Sequence, residues 1–107
     1  MNPDFTQSDF AEFEKQAGQA ANFLRTLGNA HRLQVLCLLI EHDELSVGQI
    51  LERTTLSQSA LSQHLAKMRD EGLISYRRDA QTLYYALSNP VVIEIVGVLK
   101  ANFCPEL

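Results

Sequence analysis

The sequence predicts a single, mainly helical domain that carries one small β-hairpin. Three observations support this prediction. The chain has 107 residues, apolar residues recur at helical spacing up to Gly72, and after Gly72 the spacing of apolar residues changes to the alternation of a strand. With 46% hydrophobic and 21% charged residues, the composition is that of a globular protein. No internal repeat, low-complexity tract or linker divides the chain, so we expect one core.

The first predicted helix carries a heptad seam over about residues 9–27. Its apolar or small positions are Phe10, Phe13, Ala17, Ala20, Leu24 and Leu27. Asp9 and Glu12 have the spacing of a capping box in front of the seam. The alanines in its middle would let another helix approach closely. The pattern fits packing on the same domain or on a second copy, and the sequence leaves both open.

Three further helices are predicted from residues that accept hydrogen bonds at helix starts. These residues are Asn29, Ser46 and Ser57, and the helices are expected to end near Glu41, Thr54 and Gly72. Only Thr55 and Leu56 separate the third helix from the fourth. A tight helix-turn-helix is therefore predicted over about residues 46–71.

A hairpin and a fifth helix complete the predicted order. Residues 73–78 and 82–87 alternate and are rich in β-formers, which predicts two strands in a wing over about 73–87. Pro90 starts a fifth helix that reaches about Cys104 and stops at Pro105. Its apolar surface is wide enough to predict a subunit interface shared with the first helix. The prediction is a winged helix-turn-helix (α1-α2-α3-α4-β-β-α5) that dimerises through about residues 9–27 and 89–104.

Positive charge is confined to the centre of the chain. The formal net charge is -4, but residues 53–78 hold five basic and two acidic side chains and so carry +3. A local basic surface is what phosphate binding requires, and the negative total does not forbid it.

The outward face of the fourth helix is predicted to read DNA. On a helical wheel, Ser59, Ser62, Gln63 and Ala66 lie opposite the apolar side, with Gln58 beside them. Glutamine pairs with adenine edges and serine donates to bases or phosphates, while solvated faces of other helices are usually rich in Glu and Lys. A merely solvated polar face is the alternative.

Basic side chains surround this predicted reading face. Lys67 and Arg69 lie on its flanks, and Arg77 and Arg78 lie near the wing tip, where phosphates or a minor groove would be. His64 falls on the inward flank, where a packed, hydrogen-bonded side chain is expected instead of a base contact.

The sequence shows no feature of a membrane protein or an enzyme. The longest apolar run, residues 35–40, is far short of the roughly 20 residues that span a bilayer. The polar N-terminus lacks a secretory signal, so a cytoplasmic protein is expected. No Cys-x-x-Cys, glycine-rich phosphate loop or activated nucleophile is present, which predicts no enzyme and no cofactor. A thiol enzyme or sulfur carrier is the less favoured alternative. Two cysteines in such a chain must reflect burial, metal or redox chemistry.

Four segments of the chain resemble the ArsR/SmtB family of dimeric bacterial repressors. They are LRTLGNAHRL (24–33), ELSVGQI (44–50), LSQSALSQHL (56–65) and the wing RRDAQTLYY (77–85). The resemblance implies a homodimer, joined by its first and last helices, whose fourth helices enter successive major grooves of a palindromic double-stranded operator. The positions that match the family's DNA-reading residues are Gln58, Ser59, Ser62, Gln63, Arg77 and Arg78.

Cys37 and Cys104, together with the wing sequence, resemble the BigR/SqrR/YgaV/HlyU subgroup. That resemblance implies a dithiol switch in which persulfides or other reactive sulfur species link the two cysteines and weaken operator binding. Cys37 is expected to be half-buried. Lys100 would favour a Cys104 thiolate, whereas the helix C-terminus would disfavour it.

Metal sensing is less favoured. Metal-sensing relatives carry a cysteine pair where this chain has Ser46 and Gly48, and residues 91–103 offer only Glu94 as a ligand. We therefore predict no metal site. Response to a metal, an organic ligand or another oxidant remains an alternative, as does an anti-repressor that activates genes indirectly.

Overall fold

The computed structural model describes residues 6–103. The helices are α1 (Gln7–Leu27), α2 (Ala30–Glu41), α3 (Val47–Glu52), α4 (Gln58–Asp70) and α5 (Pro90–Phe103), and the strands are β1 (Leu45–Ser46), β2 (Ile74–Asp79) and β3 (Thr82–Leu87). The predicted order of helices and hairpin is confirmed. The turn between α3 and α4 is longer than predicted, because α3 ends at Glu52.

Three of the four predicted N-terminal caps are confirmed. The side chains of Asn29, Ser46 and Ser57 each accept backbone N–H bonds in the first turn of their helices. Past the end of α4, Gly72 adopts a φ of 75°, a left-handed conformation that disfavours side chains with a Cβ. These residues fix where α4 begins and ends.

The predicted capping box of α1 is wrong. Thr6, not Asp9, caps the helix: its hydroxyl accepts the Asp9 N–H, and the Asp9 carboxylate accepts the Thr6 N–H. The Thr6 N–H and the Thr6 hydroxyl both donate to the Asp9 carboxylate, and these two bonds lower the pKa of Asp9. The helix therefore begins at Gln7, because threonine followed three residues later by an acid satisfies two backbone donors at once.

The sheet has three strands instead of the predicted two. Strand β3 lies in the middle, paired antiparallel with β2 and with the short β1, where Leu45 faces Tyr85. Asp79 pairs with Thr82, so the hairpin turn consists of Ala80 and Gln81 alone. A two-residue strand has no measurable periodicity, and its pairing depends on residues about forty positions later in the chain.

The inner side of α4 lies in the middle of the core. Leu61, Leu65 and Met68 are buried, as the helical wheel predicts. They join a core cluster that includes Val35, Leu36 and Leu39 from α2, Ile50 from α3, and Val92 and Val96 from α5. Burying this side leaves the polar side of α4 facing out.

Helix α1 extends away from this core. Residues 7–22 are all exposed, and burial begins only near Thr26 and Leu27. Much of the predicted seam, including Phe10, Phe13 and Leu24, is therefore exposed in the single chain. Within residues 6–103, no helix combines the length and apolar character needed to cross a membrane. The cytoplasmic location stays a prediction.

Candidate nucleic-acid interface

The outer face of α4 presents a row of small polar side chains to solvent. Its predicted members Gln58, Ser59, Ser62, Gln63 and Ala66 are all exposed, and so is Lys67 on the flank. Lys67 makes an i,i+4 ion pair with Glu71, with Nζ 3.8 Å from Oε1. A helix with side chains is about 10–12 Å across, and a B-DNA major groove is about 12 Å wide. The orientation predicted for this face is confirmed.

A groove runs between α4 and the wing. Its volume is about 520 Å³, and α4 lines one wall with residues that include Gln58, Ser62 and Arg69. The hairpin lines the other wall with residues 81–83 and Tyr85, and the start of α3 closes one side with residues 46–48. Helix and wing therefore form one concave surface, open to solvent along the predicted reading face.

The two wing arginines lie on opposite faces of the hairpin, because neighbouring strand residues alternate. Arg78 pairs with Leu83, which lines the groove, and shares its face with Tyr76. Arg69 of α4 stacks on Tyr76, with its guanidinium carbon 5.2 Å from the ring centroid. The structure thus brings Arg78 to the groove side of the wing.

Arg77 lies on the other face and is engaged there. Its guanidinium carbon lies 4.5 Å from the ring centroid of Tyr84, its cross-strand partner. Its Nε donates to the carboxylate of Glu44, 2.9 Å from Oε2 and 3.2 Å from Oε1, and its Nη2 donates to Oε1. The hydrogen bond lowers the pKa of Glu44 and raises that of Arg77. The structure does not group Arg77 with the exposed residues of α4.

Partly buried polar contacts hold the inner side of α4. The Arg32 guanidinium donates to His64 through Nε (3.2 Å to Nδ1) and to the Thr26 carbonyl through Nη1 (3.1 Å). The Thr26 hydroxyl donates to Glu71 at the C-terminal end of α4. Burial lowers the pKa of His64, and the nearby Arg32 and His31 lower it further. The packed, hydrogen-bonded role expected for His64 is confirmed.

Comparison with known proteins identifies the family. Residues 29–76, from α2 into β2, match the family described as bacterial regulatory protein, arsR family. The transcriptional activator HlyU of Vibrio cholerae is 45% identical over 87% of this chain and 85% of its own length. The chain belongs to the ArsR family. The regulator YgaV of Escherichia coli is 43% identical over 92% of this chain and 99% of its own length.

Solved structures of ArsR-family relatives share the fold. Reduced HlyU from Vibrio cholerae superimposes with a TM-score of 0.80, covering 87% of this chain and 97% of that one. The repressor BigR from Xylella fastidiosa, 33% identical, gives 0.78 over 90% of this chain and 94% of that one. This ArsR-family chain is therefore a DNA-binding transcriptional regulator with a winged helix-turn-helix.

One of the two cysteines of this ArsR-family chain is within the described residues. Cys37 is half-buried on α2 and packs against the core, as predicted. One turn further along α2, the Glu41 carboxylate is 3.1 Å from Nζ of Lys100 in the last turn of α5. Cys104 lies outside residues 6–103. Lys100 is thus paired with α2, and its predicted effect on the Cys104 thiol stays a prediction.

Metal ligands do not cluster in the described part of the chain. Across residues 6–103, no three His, Cys, Asp or Glu side chains come together in a way that could hold a metal ion. Ser46 and Gly48 line the groove beside α4. The absence of metal sensing in this regulator stays a prediction.

Two residues that contact Arg77, Tyr84 and Glu44, were not predicted from the sequence. The cross-strand pairing of Arg77 with Tyr84 could have been read from a two-residue turn between Asp79 and Thr82. Glu44 carries no such signal, since it lies 33 residues before Arg77 and reaches it only after β1 joins the sheet.

Proposed function

We propose that this ArsR-family regulator is a homodimeric repressor that leaves its operator when reactive sulfur species modify Cys37 and Cys104. The observation that carries the DNA-binding part is the exposed, uncharged face of α4 that opens into the groove beside the wing. A face of Ser, Gln and Ala is suited to hydrogen bonding with base edges because it brings few charges and little bulk into the major groove.

Each residue of the interface has a proposed part. Gln58, Ser59, Ser62 and Gln63 contact base edges, since they occupy the exposed side of the first two turns of α4. Lys67 and Arg78 contact phosphates from the flank and the wing, which fixes the register of the protein on the duplex. No phosphate contact is proposed for Arg77, because its guanidinium is bound to Glu44.

The exposed apolar surface supports a dimer. Helix α1 exposes Phe10, Phe13 and Leu24, and α5 exposes Val91 and Val98. Apolar surface of this extent on two helices is typical of an interface between subunits. In the proposed dimer the two α4 helices lie about 34 Å apart, which matches half-sites one turn of DNA apart.

The cysteines supply the proposed switch. A thiolate of one cysteine attacks the outer sulfur of a persulfide RSSH, releasing RSH and leaving a protein persulfide. The second thiolate then attacks the inner sulfur of that group and expels hydrogen sulfide, so that two thiols are oxidised and one RSSH is reduced. Each sulfur atom inserted into the link consumes one further RSSH and releases one further RSH.

Three observations support this switch. Cys37 lies half-buried on α2, the helix that the last turn of α5 contacts through Lys100 and Glu41. Cys104 follows Lys100 by four residues in the sequence. The relative HlyU from Vibrio cholerae has been solved in a form described as reduced.

The test combines DNA selection with mass spectrometry. Reduced protein is used to select binding sequences from random duplex DNA, and binding to the selected duplex is measured before and after anaerobic glutathione persulfide. We expect a Cys37–Cys104 link with lost binding, and neither in Cys37→Ser or Cys104→Ser. Glutathione disulfide in a parallel sample separates sulfur-specific from general oxidation. Unchanged binding by a fully linked protein, or no reaction at either cysteine, would refute the switch.

An anti-repressor is the second candidate, because HlyU is named a transcriptional activator while BigR is named a repressor. Transcription in vitro from a promoter that carries the selected sequence distinguishes the two. A repressor lowers transcription by purified RNA polymerase alone, whereas an anti-repressor acts only when the protein it displaces is also present.

A further inference from the structure

Three side chains form a continuous contact across the outer face of the sheet. Arg77 projects from the edge strand β2, its guanidinium stacks over Tyr84 of the middle strand, and its donors reach Glu44 just before the opposite edge strand β1. We call Glu44, Tyr84 and Arg77 the wing brace. It reaches from β2 across β3 to the residue before β1, two residues before Ser46, which caps α3.

The geometry of the wing brace makes Arg77 a poor phosphate contact. Its Nε and Nη2 are both committed to one carboxylate in a two-pronged pair, which also neutralises its charge locally. It lies on the face of the hairpin opposite Leu83 and Tyr85, which line the groove. Arg78 has the reverse placement, exposed on the groove side of the hairpin.

We propose that Arg77 is a positioning residue that fixes the wing relative to β1 and α3, and that Arg78 is the wing arginine that contacts the DNA backbone. The hairpin is held by the core at Ile74 and Tyr85 and by pairing with the two-residue strand β1, and a further contact across the sheet helps to fix its angle. The wing brace supplies that contact on the side away from DNA. This inference rests on the proposed approach of the wing to the operator.

The decisive measurement is the salt dependence of DNA binding. Each lost phosphate contact lowers the slope of log K against log salt by about 0.9. A loosened wing lowers the affinity because it must be ordered on binding, but once bound it makes the same phosphate contacts and keeps the slope. The double variant Glu44→Gln/Arg77→Met removes the brace at constant net charge, and Arg78→Met is its counterpart on the groove side. Both are compared with the unaltered protein on the selected duplex.

We expect the double variant to bind about tenfold more weakly with an unchanged salt slope, a loss within the range of coupled side-chain pairs. Arg78→Met should reduce the slope by about 0.9 for each contact. A double variant that binds like the unaltered protein, or that loses slope as Arg78→Met does, would overturn the proposal, and so would an unchanged slope in Arg78→Met. Failure of the unaltered protein to select any DNA would instead count against the proposed function.

Two further measurements keep the test independent of folding defects. Arg77→Lys retains the charge but loses the planar fork, so we expect it to bind DNA as weakly as the double variant, although a lysine would replace a phosphate contact well. Amide hydrogen exchange should quicken in β2 and β3 of the double variant, stay unchanged in α4, and stay unchanged throughout Arg78→Met. Unaltered DNA binding by Arg77→Lys, or unaltered exchange in the wing, would contradict a bracing role.

Discussion

Replacing Thr26 by valine should destabilise the protein, while the same replacement of Thr54 should not. The Thr26 residue is buried, and its hydroxyl, which has a single proton to donate, bonds the Glu71 carboxylate at the end of α4. The hydroxyl of Thr54 is buried with no hydrogen-bond partner within the described residues. Valine keeps the shape of threonine, and at Thr26 within α1 it has a similar helix propensity, so the two variants differ mainly in the fate of one hydroxyl.

The size of the difference follows from hydrogen-bond energetics. A hydrogen bond to a charged group contributes about 1.5–3 kcal/mol, and we take the lower end because the Glu71 side chain is 23% exposed and keeps its contact with Lys67. Removing an unsatisfied buried hydroxyl is neutral or stabilises by up to about 1 kcal/mol. The two variants should therefore differ by about 2 kcal/mol in their free energies of unfolding, or roughly 10 °C in Tm for a domain of this size.

Urea unfolding followed by circular dichroism measures this difference. All proteins are compared at one protomer concentration, since association would stabilise the folded state. Equal m-values are required before a shift in midpoint is read as a change in stability. The reasoning is refuted if Thr26→Val is as stable as Thr54→Val, because the tie between α1 and α4 would then contribute nothing.

Three more predictions concern the reading face, the half-buried His64 and the wing turn. Gln58→Ala should weaken binding to the selected duplex by about 1–3 kcal/mol without changing Tm, as a lost base contact does, whereas Gln34→Ala on α2 should leave binding unaltered in the same titration. Because the pKa of His64 is lowered in the folded chain, its neutral form stabilises the fold in full above about pH 6.5 and loses that contribution as the pH falls. His64→Asn, which keeps an acceptor for Arg32, should show a flatter decline of unfolding free energy between pH 7 and 5. Ala80 has a φ of 56°, a left-handed conformation that favours glycine, so Ala80→Gly should raise the free energy of unfolding by about 0.5 kcal/mol. Ala66→Gly within α4 should lower it by about 1 kcal/mol, because glycine is a poor helix former. A shift of Tm in the same direction for both variants would contradict the strain argument.

Local patterns were sufficient to predict most of the helices and the direction of α4. Asn29, Ser46 and Ser57 cap their helices because the acceptor and the backbone donors lie within three residues of each other. The apolar spacing of Leu61, Leu65 and Met68 determined which side of α4 is buried. The exposed side follows from the same spacing, so the candidate reading face needed no tertiary information.

Contacts between distant segments could not be predicted in this way. Glu44 and Arg77 meet across a sheet, and Glu41 and Lys100 meet across two helices, at separations that no local periodicity encodes. The start of α1 was predicted wrongly for another reason. Thr6 with Asp9 and Asp9 with Glu12 both have the spacing of a capping box, and the first pair is the one that caps the helix. The wing residues therefore looked equivalent in sequence, although the sheet separates Arg77 from Arg78.

The two sides of α4 are constrained by different interactions. Its inner side is fixed by core packing and by the bonds of Arg32 and Thr26 to His64 and Glu71, which do not involve the exposed face. Relatives at 45% and 33% identity superimpose almost equally well, with TM-scores of 0.80 and 0.78. The fold thus tolerates extensive substitution, and the outer face of α4 can change without a cost in packing because its side chains lie outside the core. A scaffold of this kind can present different reading residues at the same position and angle, so the DNA sequence that is bound can change while the fold stays the same.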